Sequence, residues 1–208
     1  MAQAKKIGST RFGYGYHPHS MNHPHHYEWS NAVGRLEIRQ LEAKDAEDFS
    51  ALRRVVTADS PVPMGLSMDE ELTRPLQGFR DQLSSPAPNA AFGAFVDGAL
   101  QGCAALAWTS RFASSRHKAE LWGTFVAPNH RGQGIARMVA GRAIEHGRNN
   151  SLQRINLMVY IPNAPAVALY EGFGFTPYGV EPKAVFLNGQ FYDCQHMTLA
   201  LNEIAATA

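Results

Sequence analysis

A mixed α/β fold is predicted for this chain, with a mostly antiparallel central sheet of about seven strands and helices on both faces. Three observations carry the prediction. Asp97-Gly98 and Asn188-Gly189 each separate two apolar, strand-like runs, a strong hairpin signal. Residues 43–56 and 135–148 place apolar side chains at helical spacing. Residues 121–148 pass from strand alternation through a glycine-bearing turn directly into a helix.

In chain order, Leu36, Ile38 and Leu41 alternate with charged residues as a first strand. Residues 43–56 follow as a helix with Ala46, Phe49, Leu52 and Val56 on one side. Ser60-Pro61-Val62-Pro63 breaks the chain, and Ser67 with Glu70 forms a capping box that opens a second helix running toward Leu83. Pro86 and Pro88 end that helix. Residues 91–96 and 99–110 are the strands around Asp97-Gly98, and the polar loop 111–117 leads to a further strand at 118–126. The helix 135–148 carries Ala136, Ala140, Ala143 and Gly147 near one face, so its axis is expected to approach the sheet closely. Ile155, Leu157 and Val159 alternate as a strand within 154–160, Asn163 begins another helix, and 178–187 with 191–201 form a closing hairpin.

The 208 residues, 45% hydrophobic and 18% charged, suit one domain at 33–205. It is preceded by an arm at 1–32, rich in glycine, histidine and tyrosine and without apolar periodicity, which is expected to be mobile. His17, His19, His23, His25 and His26 in that arm are open to two readings: a solvated tail, or a transition-metal site. A formal net charge of +1 argues against a nucleic-acid or membrane surface. Cys103 and Cys194 lack the spacing of a zinc site or a disulfide framework and read as thiols of a cytoplasmic protein. Apolar runs are too short to span a membrane, and the N-terminus lacks the apolar core of a secretion signal.

The turn Arg131-Gly132-Gln133-Gly134 has the makings of a phosphate cradle. Glycines let consecutive backbone N–H groups point at one anion, and the helix that follows adds its positive end. A Walker loop is excluded because Ile135 and Ala136 stand where Lys-Ser/Thr is required, and a dinucleotide fingerprint because Arg137 replaces its third glycine. What remains is R-x-x-G-x-A, from Arg131 through Gly134 to Ala136, followed downstream by Asn163-x-x-Ala166-x-x-Leu169-Tyr170 and Gly174-Phe175. This pairing of signatures resembles the GNAT superfamily of acyl-CoA-dependent N-acetyltransferases.

The resemblance implies acetyl-CoA as co-substrate, no required metal, and direct transfer of the acetyl group to an amine in a ternary complex. It implies that Gly132, Gln133, Gly134, Ile135 and Ala136 hold the pyrophosphate. Arg131 and Arg137 would assist, or else be solvated surface arginines. By the same carry-over the strand ending at Val126 splays from its neighbour, so that the backbone of Phe125 and Val126 binds the pantetheine arm and the Val126 N–H serves as a modest oxyanion donor. Asn163 is expected to cap its helix and to bind the pantetheine amides.

An amine acceptor with a pKa of about 10 is almost wholly protonated at pH 7, and removing that proton costs about 4 kcal/mol, so a base is useful. Strand periodicity puts Glu120, Trp122 and Thr124 on one face and Leu121, Gly123 and Phe125 on the other. Glu120 is thereby the candidate base, matching a glutamate used by some members of the resembling superfamily. The competing reading is an ion pair with Arg116, Lys118 or another nearby cation. Tyr170 is the candidate acid for the departing thiolate, a role implied by the resemblance, with a core-facing aromatic as the alternative. A non-catalytic acyl-CoA-binding or sensing module is the rival function. The acceptor is open between small-molecule amines and peptide or protein amines, and an exposed strand edge would suit a homodimer.

Overall fold

The computed structural model describes residues 27–31, as backbone, and 34–201. Its strands are β1 (Tyr27–Asn31), β2 (Gly34–Gln40), β3 (Ala90–Val96), β4 (Ala99–Ala107), β5 (Lys118–Val126), β6 (Arg154–Ile161), β7 (Thr176–Leu187) and β8 (Gln190–Ala200). The helices are α1 (Ala46–Asp59), α2 (Pro61–Met64), α3 (Met68–Leu72), α4 (Leu76–Leu83), α5 (Ile135–Asn149) and α6 (Ala164–Glu171). The strands form one sheet in the order β1-β2-β3-β4-β5-β6-β8-β7. Every neighbouring pair is antiparallel except β5 with β6.

Both hairpins turn where the sequence places them. Asp97 and Gly98 have φ of 49° and 84°, and Asn188 and Gly189 have 53° and 77°. Positive φ at both central residues keeps the turn in step with strand twist.

Three local features depart from expectation. A strand at Tyr27–Asn31, inside the expected mobile arm, pairs with β2 from Tyr27 opposite Ile38 to Asn31 opposite Gly34, satisfying backbone groups that the edge of β2 would otherwise expose. The rest of that arm, with its five histidines, lies outside the described residues. The break at 60–63 is instead the short helix α2, because Pro61 occupies a first-turn position where a missing N–H is harmless. The capping box is present, with Glu70 N donating to Ser67 Oγ and Ser67 N to Glu70 Oε2. The helix it opens stops at Leu72 and restarts at Leu76, because Pro75 lacks a donor and bars helical geometry at the residue before it.

Two apolar cores lie on opposite faces of the sheet. On one, Val139, Ala140, Ala143 and Ile144 of α5 and Tyr170 of α6 pack against Phe92, Leu106, Ile155 and Leu157. On the other, Phe49, Leu52 and Val56 of α1 and Phe79 of α4 pack against Phe95, Cys103 and Phe125. Helices thus cover both faces, as the element order predicts.

Candidate acyl-transfer site

The chain leaves β5 through a single 3-10 turn at Pro128–His130 and reaches α5 by way of Gly132 and Gly134, at φ of 75° and 81°. A side chain at either glycine would be strained there, although a Cβ would meet no atom within 4 Å. Gly134 caps α5 through its backbone, and the main-chain N–H groups from Gly132 to Arg137 find no acceptor among the described residues. Consecutive unpaired donors, open space and the positive end of a 15-residue helix coincide, which is the arrangement that suits a diphosphate. Ile135 contributes backbone alone, since its side chain is buried beside Val126 and Gly102.

The end of β5 is parted from β6. Their pairing covers Lys118 to Glu120 against Arg154 to Asn156 and goes no further, while β6 continues along β8 as far as Ile161. Beyond Glu120, therefore, the sheet opens into a gap. Ala127 N donates to Gln101 O. The antiparallel alternation then turns the amide of Val126 away from β4, toward the gap, and that of Phe125 toward β4. Of the two expected backbone ligands, Val126 has the right orientation and Phe125 does not. The Phe125 ring is buried, stacked 6.1 Å from Phe49.

A β-bulge overturns the expected facing of β5. Cys103 pairs with Phe125, whereas Ala105 pairs with Trp122, so one residue of β5 is extra, and Gly123 absorbs the distortion at φ 61°. Residues before and after the bulge therefore exchange faces. Ala119 and Leu121 share the α5 side with Val126, while Trp122 packs with Phe125 on the α1 side. Glu120 consequently faces the α1–α4 layer with Trp122, and Thr124 does not share its face.

Glu120 is half-buried, and burial raises its carboxyl above the ordinary glutamate value, with the charge of His196 opposing the rise. Among the described residues it forms no ion pair with Arg116, Lys118 or any other cation. Tyr170 approaches the gap from the opposite face. It is 8% exposed, edge-on to Phe175 at 5.8 Å, and burial pushes its phenol up. The Thr124 side chain lies close enough to offset part of that shift, though its Oγ1 lacks hydrogen-bond geometry to any partner. Asn163 caps α6 as expected, its Oδ1 accepting from Ala166 N at 3.3 Å.

The two arginines already have protein partners. Arg131 Nε donates to Val126 O at 3.2 Å and its Nη2 lies 2.6 Å from Asp59 Oδ2 at the end of α1, a contact the sequence did not suggest. Arg137 Nη2 donates to Gly172 O at 3.3 Å, with its guanidinium 4.7 Å from the Phe173 ring centre. Both side chains tie the loop and α5 to neighbouring elements.

Residues 49–175, more than half of the chain, match the Acetyltransferase (GNAT) family. The chain is a member of the GNAT family. It is 34% identical over 82 residues to a spermidine N(1)-acetyltransferase of Vibrio cholerae, an overlap of 39% of this chain and 47% of that protein. The chain spans about half the length of the curated relatives it matches. Among solved structures, a GNAT superfamily phosphinothricin acetyltransferase from Sinorhizobium meliloti in complex with AcCoA superposes with a TM-score of 0.70 at 19% identity, covering 82% of this chain and 91% of that one. A ribosomal-protein-alanine N-acetyltransferase from Brucella melitensis gives 0.65 at 22% identity, covering 79% and 99%. At such identities the structures show the fold.

Around Glu120 this GNAT domain gathers side chains that strand patterns do not mark as functional. Tyr160 on β6, Cys194 and His196 on β8 and Glu181 on β7 lie on the same face of the sheet, and Gly65 after α2 rests against the Tyr160 ring. Burial and the neighbouring acids raise the Tyr160 phenol. On the β4 side of Trp122, Gln82, Ser85, Asn89 and Trp108 line a recess of about 250 Å³. The mixed charges of the covering helices are largely spent internally: Arg53 holds Glu71 by two bonds of 2.8 and 2.7 Å in full burial, with Arg74 at 3.7 Å. Among the described residues no group of three metal-ligating side chains converges, and no helix is long and apolar enough to cross a membrane.

Proposed function

We propose that this GNAT protein is an acetyl-CoA-dependent N-acetyltransferase that acts on a primary amine by direct attack in a ternary complex. The observation that carries the reading is the run of unpaired N–H groups from Gly132 to Arg137 at the start of α5, beside a parted strand whose last amide, that of Val126, faces the same gap. The loop amides hold the diphosphate. The Asn163 side chain, having used Oδ1 for its helix, offers Nδ2 to the pantetheine arm. When bound, acetyl-CoA supplies the activated thioester.

Glu120 takes a proton from the incoming ammonium, directly or through water, so that the nitrogen lone pair becomes available. The Val126 N–H stabilises negative charge on the thioester oxygen as the new C–N bond forms and the C–S bond breaks. Tyr170 gives its proton to the sulfur and regains one from the nitrogen side, while the proton on Glu120 passes to solvent. The ammonium thus loses two protons, one ending on the thiol and one in solution. Arg131 and Arg137 position the loop through Asp59, Val126 and Gly172.

The V. cholerae relative is named for spermidine, a primary amine, which supports small-molecule amines as the first class to test, with peptide amines beside them. The experiment combines calorimetric titration with acetyl-CoA and release of free thiol in the presence of spermidine, an Ala-starting peptide and free amino acids. Binding with amine-dependent thiol release is expected. Binding without release for any amine would instead favour an acyl-CoA-sensing module, and absence of binding would remove the loop from the reading.

A further inference from the structure

A general base must be ionised to accept a proton, yet burial works against the Glu120 carboxylate and no lysine or arginine among the described residues pairs with it. What faces it can be named element by element. Its own strand carries Lys118 two residues back, and β4 brings only Ala107 opposite it. From β6 comes Tyr160 and from β8 come Cys194 and His196, with Glu181 of β7 one strand further out. In the helical cover Arg53 and Arg74 both pair with Glu71. Of these groups, Lys118 and His196 can carry positive charge. Lys118 lies at the start of β5 opposite Arg154, away from the gap, whereas His196 stands across β6 from Glu120, opposite Met158 and on the same face.

His196 is also held in place. Its Nε2 lies 3.4 Å from Glu181 Oε2, and its ring sits 5.8 Å from that of Tyr178. The register explains why: His196 opposes Gly179 on β7, and a bulge beside Gly179 displaces Tyr178 from the ladder. The side chain is 24% exposed against 57% for Glu181, so Glu181 is the member of the pair more open to solvent. We propose that His196, clamped by Glu181 and Tyr178, is a positioning residue that supplies the counter-charge for Glu120 during proton removal from the acceptor amine. The proposal rests on Glu120 being the base. It adds no atom to the reaction: the proton still moves from the ammonium to the Glu120 carboxylate and then to water.

The test reads Glu120 directly. In the full chain with ¹³C-labelled glutamate side chains, the Glu120 signal is assigned by its loss in Glu120→Gln and titrated by NMR. In His196→Gln its midpoint should move up by about half a pH unit, less than for a pair in direct contact. Glu181→Gln should give a smaller shift in the same direction, and His196→Lys, which restores a charge, should return the midpoint toward wild type. The acid limb of kcat/KM for thiol release with spermidine or the Ala-starting peptide should follow each shift. An unmoved midpoint in both His196→Gln and Glu181→Gln overturns the proposal and leaves the proposed activity intact. Equal shifts in His196→Gln and His196→Lys overturn it in favour of packing. Midpoints that move while the acid limb stays still would show that Glu120 is not the base, and the proposal falls with that assignment. Unchanged acetyl-CoA affinity in each variant reports that the fold is retained.

Discussion

The two ends of the gap beside β5 are built from different materials. At the proposed cofactor end the groups are main-chain amides, that of Val126 and those from Gly132 to Arg137, and the geometry of the loop depends on two glycines with positive φ. At the proposed acceptor end the groups are side chains drawn from β5, β6, β7 and β8, with Gly65 after α2 resting on Tyr160, and their properties depend on burial and on one another's charge. Backbone anion binding is thus a local property of the chain, whereas tuning of a base is a property of the assembled sheet.

The sharpest way to break this division is at Gly134. A carboxylate introduced by Gly134→Asp meets the diphosphate in a strained conformation, and acetyl-CoA affinity by calorimetry should fall by more than about 100-fold while the acceptor face is undisturbed. Retained affinity would mean that the amides do not bind the nucleotide.

On the other side, Glu71→Ala leaves Arg53 buried without its partner and should destabilise the domain by about 3–5 kcal/mol in urea unfolding. Replacing both members with apolar residues of similar volume should recover most of that loss. Failure to recover would assign the pair a role other than burial chemistry.

Turnover separates the two ends again. Tyr170→Phe should lower kcat by about 100-fold with acetyl-CoA affinity unchanged. Glu120→Gln should lower kcat/KM by about the same factor and remove its acid limb. Because burial raises the Glu120 carboxyl, that limb lies above the ordinary glutamate value, and activity is lost as pH falls through it. An acid limb that survives in Glu120→Gln would move the base elsewhere.

The smallest effect is expected where the ends are stitched together. Arg131→Ala and Asp59→Ala should each weaken acetyl-CoA binding by about threefold, because the pair is exposed and only steadies the loop. The double variant should be no worse than either single one. Additive losses would mean that Arg131 reaches the cofactor itself.

The local geometry of the proposed cofactor end was legible in the residues because its information is short-range. Gly132 and Gly134 mark backbone conformations open to glycine, Asn163 marks a cap, and the hairpin turns declare themselves as Asp-Gly and Asn-Gly. The acceptor end was only half legible. Glu120 could be picked out, but the bulge at Gly123 reversed the facing deduced for the residues beyond it, since a period of two assumes no inserted residue. His196 and Glu181 carried no signal, being ordinary members of alternating strands until β7, β8 and β6 lie side by side. Arg131 was read as a ligand or a surface charge, and its bond to Asp59 depends on where α1 happens to end.

From the chain alone came the order of elements, the glycine cradle and the family-like signatures, because dihedral preference, capping and apolar period act between residues close in sequence. Only the folded sheet decided which face Glu120 occupies, how far β5 parts from β6, which backbone amide turns into the gap and what charge lies near the base. Those depend on register and burial, and both are set by contacts between strands that the chain brings together from far apart.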